Sequence, residues 1–124
     1  MKPMTLLLIL FLVSGAGLIG ISIPLTQGRV GPNRWYGFRV RSTLEDPKVW
    51  YPVNRYAGRR LLVVGFVECV VATTLYFIPG LDIDVYAWTV GGVVIAGVMI
   101  SLVQSLRYLD QLTKEKRQPR DQGA

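Results

Sequence analysis

Three apolar stretches, each about as long as a bilayer is thick, constrain this chain more than anything else in it. An α-helix needs about 20 mostly apolar residues to cross a hydrocarbon core. From Pro3 to Gly28 there is no charge, and "MTLLLILFLVSGAGLIGISIPL" is the apolar heart of that run. From Val85 to Leu106, "VYAWTVGGVVIAGVMISLVQSL" is uncharged as well. Between them, Leu61 to Ile78 carries one acid, Glu68, among eleven Leu, Ile, Val and Phe residues. Judged by the value for Asp, a carboxylate at a helix centre costs roughly 2.5–3.5 kcal/mol. Each large apolar residue returns at most about 0.3–0.6, so the sum still favours insertion by a small margin. The expected fold is all-α: a polytopic membrane protein with three transmembrane helices near residues 4–25, 61–79 and 85–106, in a single domain of 124 residues. A basic cytoplasmic loop spans 26–60 and a cytoplasmic tail 107–124. Reading the first run as a cleaved signal peptide is weaker, because it continues to Leu25, well past the small residues "SGAG".

Composition removes several classes of function. With no histidine and one cysteine, Cys69, the chain has neither the usual zinc sites, nor a His-based nucleophilic triad, nor an internal disulfide. No enzyme activity, metal or cofactor is expected. A net charge of +6 would suggest nucleic acid in a soluble protein, but the apolar runs argue for the lipid bilayer as the partner instead.

Basic residues in short loops mark the cytoplasmic side. The 26–60 loop holds eight bases, the tail holds Arg107, Lys114, Lys116, Arg117 and Arg120, and the connection "GLDID" has two aspartates and no base. The expected topology is therefore N-terminus outside, loop inside, short turn outside and C-terminus cytoplasmic. Pro79-Gly80 should end the second helix and pack it antiparallel to the third. Small residues at helical spacing mark close-packing faces: Ala16 and Gly20; Gly65, Cys69 and Ala72; Gly97, Ser101 and Ser105. Beyond Leu106 the third helix should continue for two turns, with Asp110 pairing with Lys114, and stop at Pro119. Glu68 is an intramembrane polar residue and should face protein. Its expected hydrogen-bond partners are Ser101 on the third helix and the Ser14–Ser22 stretch on the first.

The loop segment "GPNRWYGFRVRSTLEDPKVWYPVNRYAGRR" is denser than topology requires. It holds seven of the fourteen basic residues and six of the thirteen aromatics. Pro32-Asn33 signals a turn and Gly37 permits a sharp bend. Asp46-Pro47 reads as an N-cap and first helical residue, with a Ser42/Glu45 capping box as the rival. Trp50, Val53, Ala57 and Leu61 then recur at helical spacing, with Pro52 expected to kink or interrupt a short interfacial helix. Asn33, Arg34, Gly37, Arg39, Trp50, Asn54 and Arg55 are expected to gather into one polar, aromatic-walled cluster. That cluster is either a lock on the loop's fold or a docking surface for an acidic partner or anionic lipid headgroups.

In Pro32, Asn33, Gly37, Arg39, Thr43, Leu44, Trp50, Asn54, Arg55 and Gly58 the segment resembles the signature of the SdpI family of small bacterial integral membrane proteins. Val40 and Arg41 stand where that family often has Thr-Pro, and Ser42 where it often has Trp. The chain resembles a short form, because the family's namesake has more spans. The resemblance implies a location in the bacterial inner membrane. It also implies a role of the immunity type, since the namesake protects its producer from a secreted peptide and holds a transcriptional repressor at the membrane. A non-catalytic binding or signalling role is thus expected, with a soluble regulator or a membrane-active peptide as partner. The alternative is an accessory subunit of a larger membrane complex. Transport rests on Glu68 alone.

Overall fold

A computed structural model of the chain describes residues 2–33 and 35–121, with side chains described as far as residue 115. Four helices follow in order: α1 (Pro3–Thr26), α2 (Arg41–Glu45), α3 (Pro47–Tyr76) and α4 (Ile83–Asp121). There is no strand among the described residues. The fold is all-helical, as expected.

α3 is the central element, packed against both α1 and α4, while α1 and α4 barely meet. The α1–α3 pair is antiparallel. Gly58 of α3 lies against Leu25 near one end, Gly65 against Gly15 in the middle, and Tyr76 reaches Thr5 at the other end with the hydroxyls 3.0 Å apart. The pair closes because glycines stand where the backbones cross: a methyl at Gly65 would lie 2.7 Å from the Gly15 carbonyl oxygen. Gly65 and Ala72 therefore act as the spacing indicates. On α1, Gly15 meets α3, whereas Gly20 faces open space. Against α4, fully buried Tyr86 donates to the Ala72 carbonyl at 3.0 Å. At the far end Tyr56 stacks on Tyr108, with ring centres 4.7 Å apart.

α1 and α4 are long and apolar enough to cross a membrane. Their large side chains point outward, including Leu10, Val13 and Ile95, each more than 60% exposed. Such surface fits lipid and would be a liability in water. After Arg60, α3 has sixteen more residues, Leu61 to Tyr76, with Glu68 among them, and it is not one of the helices that length and composition alone mark as spans.

Three expectations are corrected. α3 is not interrupted at Pro52 but runs as one helix from Pro47, with Asp46 capping it by accepting the Lys48 N–H at 2.9 Å. The missing Pro52 N–H would have paired near the helix start, at exposed Lys48, and the buried stripe of Val49, Trp50, Val53, Asn54 and Ala57 carries straight across it. The interfacial helix is thus the first part of α3, and only five-residue α2 stands apart from it. The second helix stops at Tyr76 rather than 79, because the Phe77 and Ile78 N–H groups turn back to the Thr74 and Leu75 carbonyls and Gly80 takes a positive φ of 76°. α4 passes Pro119 and ends at Asp121. A proline in the last turn forfeits a single main-chain bond there. The Asp110–Lys114 pair forms as expected, at 3.1 Å on an exposed face, so it adds little to stability.

Candidate functional site

The loop between α1 and α3 is held to the α3 start by side chains that bond main chain. Asn33 uses both ends of its amide. Its Oδ1 accepts the Trp35 and Tyr36 N–H groups at 2.8 and 2.7 Å, and its Nδ2 donates to the Gly31 and Tyr36 carbonyls at 2.8 and 3.1 Å. This closes an Asx-type turn. Gly37 follows with φ of 110°, a conformation that L side chains rarely adopt. A methyl there would lie 2.7 Å from Asn54 Oδ1 and 3.2 Å from the Trp50 ring.

That close approach delivers Phe38 to Asn54. Asn54 Oδ1 accepts the Phe38 N–H, while its Nδ2 donates to the Phe38 carbonyl at 3.3 Å and the Trp50 carbonyl at 3.0 Å. One buried amide thus satisfies both main-chain groups of Phe38. Trp50, fully buried, donates from Nε1 to the Val30 carbonyl at 2.7 Å and ties down the start of the loop. Thr43 was not among the expected cluster residues, yet it is fully buried. Its Oγ1 accepts the Val40 N–H at 3.0 Å and has the Val40 and Phe38 carbonyls at 2.8 and 3.1 Å. Its place in "TL" of the loop signature was the available signal.

Of the seven residues expected to cluster, the structure joins Gly37, Trp50 and Asn54 around Phe38, with Asn33 organising the adjoining turn. Arg34 lies outside the described residues. Arg39 does not fold back onto the Trp50–Arg55 segment; it is exposed, with no hydrogen bond or ion pair among the described residues. The Gly37 bend brings main chain, not a guanidinium, to Asn54. Arg55 is also exposed, its guanidinium resting against Gly28. Among the described residues, the arginine on an aromatic ring is Arg60, 5.2 Å over Tyr56. Tyr36 lines the space beside the lock. Its hydroxyl is buried with no partner among the described residues, and burial pushes its pKa up, so it remains a neutral donor.

Glu68 does face protein, being 1% exposed against α1. The nearby side chain is Ser14, not Ser101, whose hydroxyl donates to the Gly97 carbonyl of its own helix at 2.8 Å. Although Ser14 is close enough to interact, neither carboxyl oxygen has a partner in hydrogen-bonding geometry among the described residues. A leucine at this place should therefore not cost assembly, since an unpartnered buried polar group contributes no hydrogen bond to lose. Glu68→Gln and Glu68→Leu should both keep the melting temperature in detergent within about 2 °C, a shift of a few tenths of a kcal/mol. A clear drop in Leu with none in Gln would reveal a bond to Ser14.

Among the described residues no group of His, Cys, Asp and Glu could hold a metal ion. The model of the SdpI/YfhL protein family matches residues 29–108, well over half of the chain. The chain belongs to this family. The SdpI match begins after α1 and takes in the locked loop, α2, α3 and α4 as far as the Tyr56–Tyr108 stack. Comparison with curated proteins and with solved structures gives no match. Family and apolar helices together point to a membrane protein of the SdpI type.

Proposed function

We propose that this SdpI-type protein works in the bacterial plasma membrane by non-catalytic binding, of a signalling or toxin-immunity kind. α1, the apolar part of α3 and α4 are its three spans, with the N-terminus outside and the loop and tail cytoplasmic. The observation that carries this reading is the division of labour in the loop. Asn33, Trp50, Asn54 and Thr43 are spent on holding main chain, which leaves Arg39 and Arg55 outward on a fixed frame. The third span is supported by the outer face of α3, where Val63, Phe66, Val67 and Val70 are exposed opposite the Gly65 contact with α1. The eight bases of the 26–60 loop support the orientation.

Topology is tested with an impermeant maleimide on intact cells, in a Cys69→Ala background. Ser42→Cys, exposed beside buried Thr43, should label only after the membrane is opened, whereas Asp84→Cys at the other end should label at once. The reverse pattern would invert the orientation. Labelling of both sites from outside would remove α3 as a span. Affinity purification from gently solubilised membranes tests the binding role. Recovery of a soluble regulator or a membrane-active peptide supports it, while a stoichiometric large membrane complex would favour an accessory subunit.

A further inference from the structure

At the loop end of the bundle a cavity of about 350 Å³ is lined by α1, α3 and α4. That is within the usual range for small-molecule pockets. Leu25 and Ala57, both on its lining, are buried, while Ile21 of α1 and Leu102 of α4 are 45% and 41% exposed. The mouth therefore opens on the outside of the bundle, on apolar helix surface. The lining is apolar in effect, because the Ser101 and Ser105 hydroxyls are taken up by the Gly97 and Ser101 carbonyls.

The other boundary of the cavity is the locked loop, from Trp35 to Arg39. Here the chemistry changes within one residue or two. Phe38 is apolar, Tyr36 holds a buried hydroxyl with no partner, and Arg39 is an exposed guanidinium with no counter-charge among the described residues. Trp35 is 88% exposed, and in a membrane interface an indole settles at headgroup level. An apolar slot ending at an exposed arginine is complementary to an amphiphile with a long apolar chain and an anionic head. In a membrane, that species is everywhere at this depth.

We propose that the cavity holds an acyl chain of one anionic phospholipid, taken from the leaflet on the loop side, with its phosphate on Arg39. The site rests on reading α1 and α4 as spans. Leu102 is five residues, roughly 7.5 Å, from Arg107 at the helix rise, which sets the slot just inside one interface. The lock explains the position of Arg39: Asn54 fixes Phe38, and the next residue is thereby held at the mouth.

The test is native mass spectrometry of the full chain, released from micelles doped with phosphatidylglycerol or with phosphatidylcholine. One phosphatidylglycerol should remain bound, at several-fold higher occupancy than phosphatidylcholine. Arg39→Gln should lower phosphatidylglycerol affinity about fivefold, the worth of one base near an anionic lipid, at unchanged melting temperature. Leu102→Trp, filling the slot, should lower retention of both lipids, and millimolar inorganic phosphate should not compete. Equal retention of the two lipids, an unaltered Arg39→Gln, competition by phosphate alone, or a second copy or peptide in place of lipid would overturn the proposal. Release of the chain from membranes by alkaline carbonate would overturn the membrane reading and the site with it. Retention in membranes without lipid preference would overturn the site alone.

Discussion

Gly65→Ala is expected to separate α1 from α3 and to lower stability by about 2–3 kcal/mol, the upper range for overpacking, because the added methyl meets backbone rather than a movable side chain. It would lie 2.7 Å from the Gly15 carbonyl oxygen and 3.0 Å from Ile19 and Leu18 atoms, so one helix must shift. Cys69 offers a direct readout. It is the chain's one cysteine and is partly buried at the same contact, where its sulfur would lie 2.5 Å from a methyl on Gly15. A thiol-reactive fluorophore should therefore report the unfolding of this contact in a thermal ramp. Gly20→Ala is the control, since nothing lies within 4 Å of its added methyl, and it should leave the transition unchanged or raise it through helix propensity. Equal transitions for Gly65→Ala and wild type would mean that the helices do not cross here.

Asn54→Leu should release the loop while the helices remain paired. Leucine fills about the same space but leaves the Phe38 N–H without its acceptor, and a buried unsatisfied donor costs about 1–3 kcal/mol. The Phe38 carbonyl keeps Thr43 as a donor, so the loss is dominated by one group. Limited trypsin digestion in detergent should cut after Arg39 and Arg41 several-fold faster in the variant, with little change in the Cys69 transition. Cleavage at the wild-type rate would show that Asn54 does not hold Phe38. Cleavage together with collapse of the Cys69 transition would show that the loop and the helix pair unfold as one unit.

Both variants touch features that differ in how far the amino-acid order reveals them. Properties set by a residue and its near neighbours were legible. The uncharged runs of α1 and α4 follow from hydrophobicity alone. The Asp46-Pro47 cap needs only a carboxylate within reach of a free N–H, and the Pro79-Gly80 turn only a backbone that Gly80 permits. The Asp110–Lys114 pair follows from helical spacing. The loop signature from Pro32 to Gly58 likewise lies inside the family match over 29–108.

Rotation and approach of the helices were not legible, and they decide the rest. A helix turns about 100° per residue, so a face containing Ala16 and Gly20 and one containing Gly15 are similar as patterns but point different ways. Only packing against α3 selects Gly15. Pro52 reads as a break, yet the buried stripe around it holds one continuous helix, because tertiary burial outweighs one missing bond. For Glu68 the sequence offered Ser101 and the Ser14–Ser22 stretch alike, and only the packing against α1 selects Ser14. Asn54, Arg39 and Arg55 looked alike as polar members of one motif. The sequence by itself determined that this is an apolar, helical, SdpI-family chain with a basic, turn-rich loop. Only the tertiary structure decided that Asn54 turns inward to satisfy Phe38 while Arg39 stays outward, because a main-chain partner is available to a buried amide and a guanidinium without a counter-charge is cheaper to leave in contact with water.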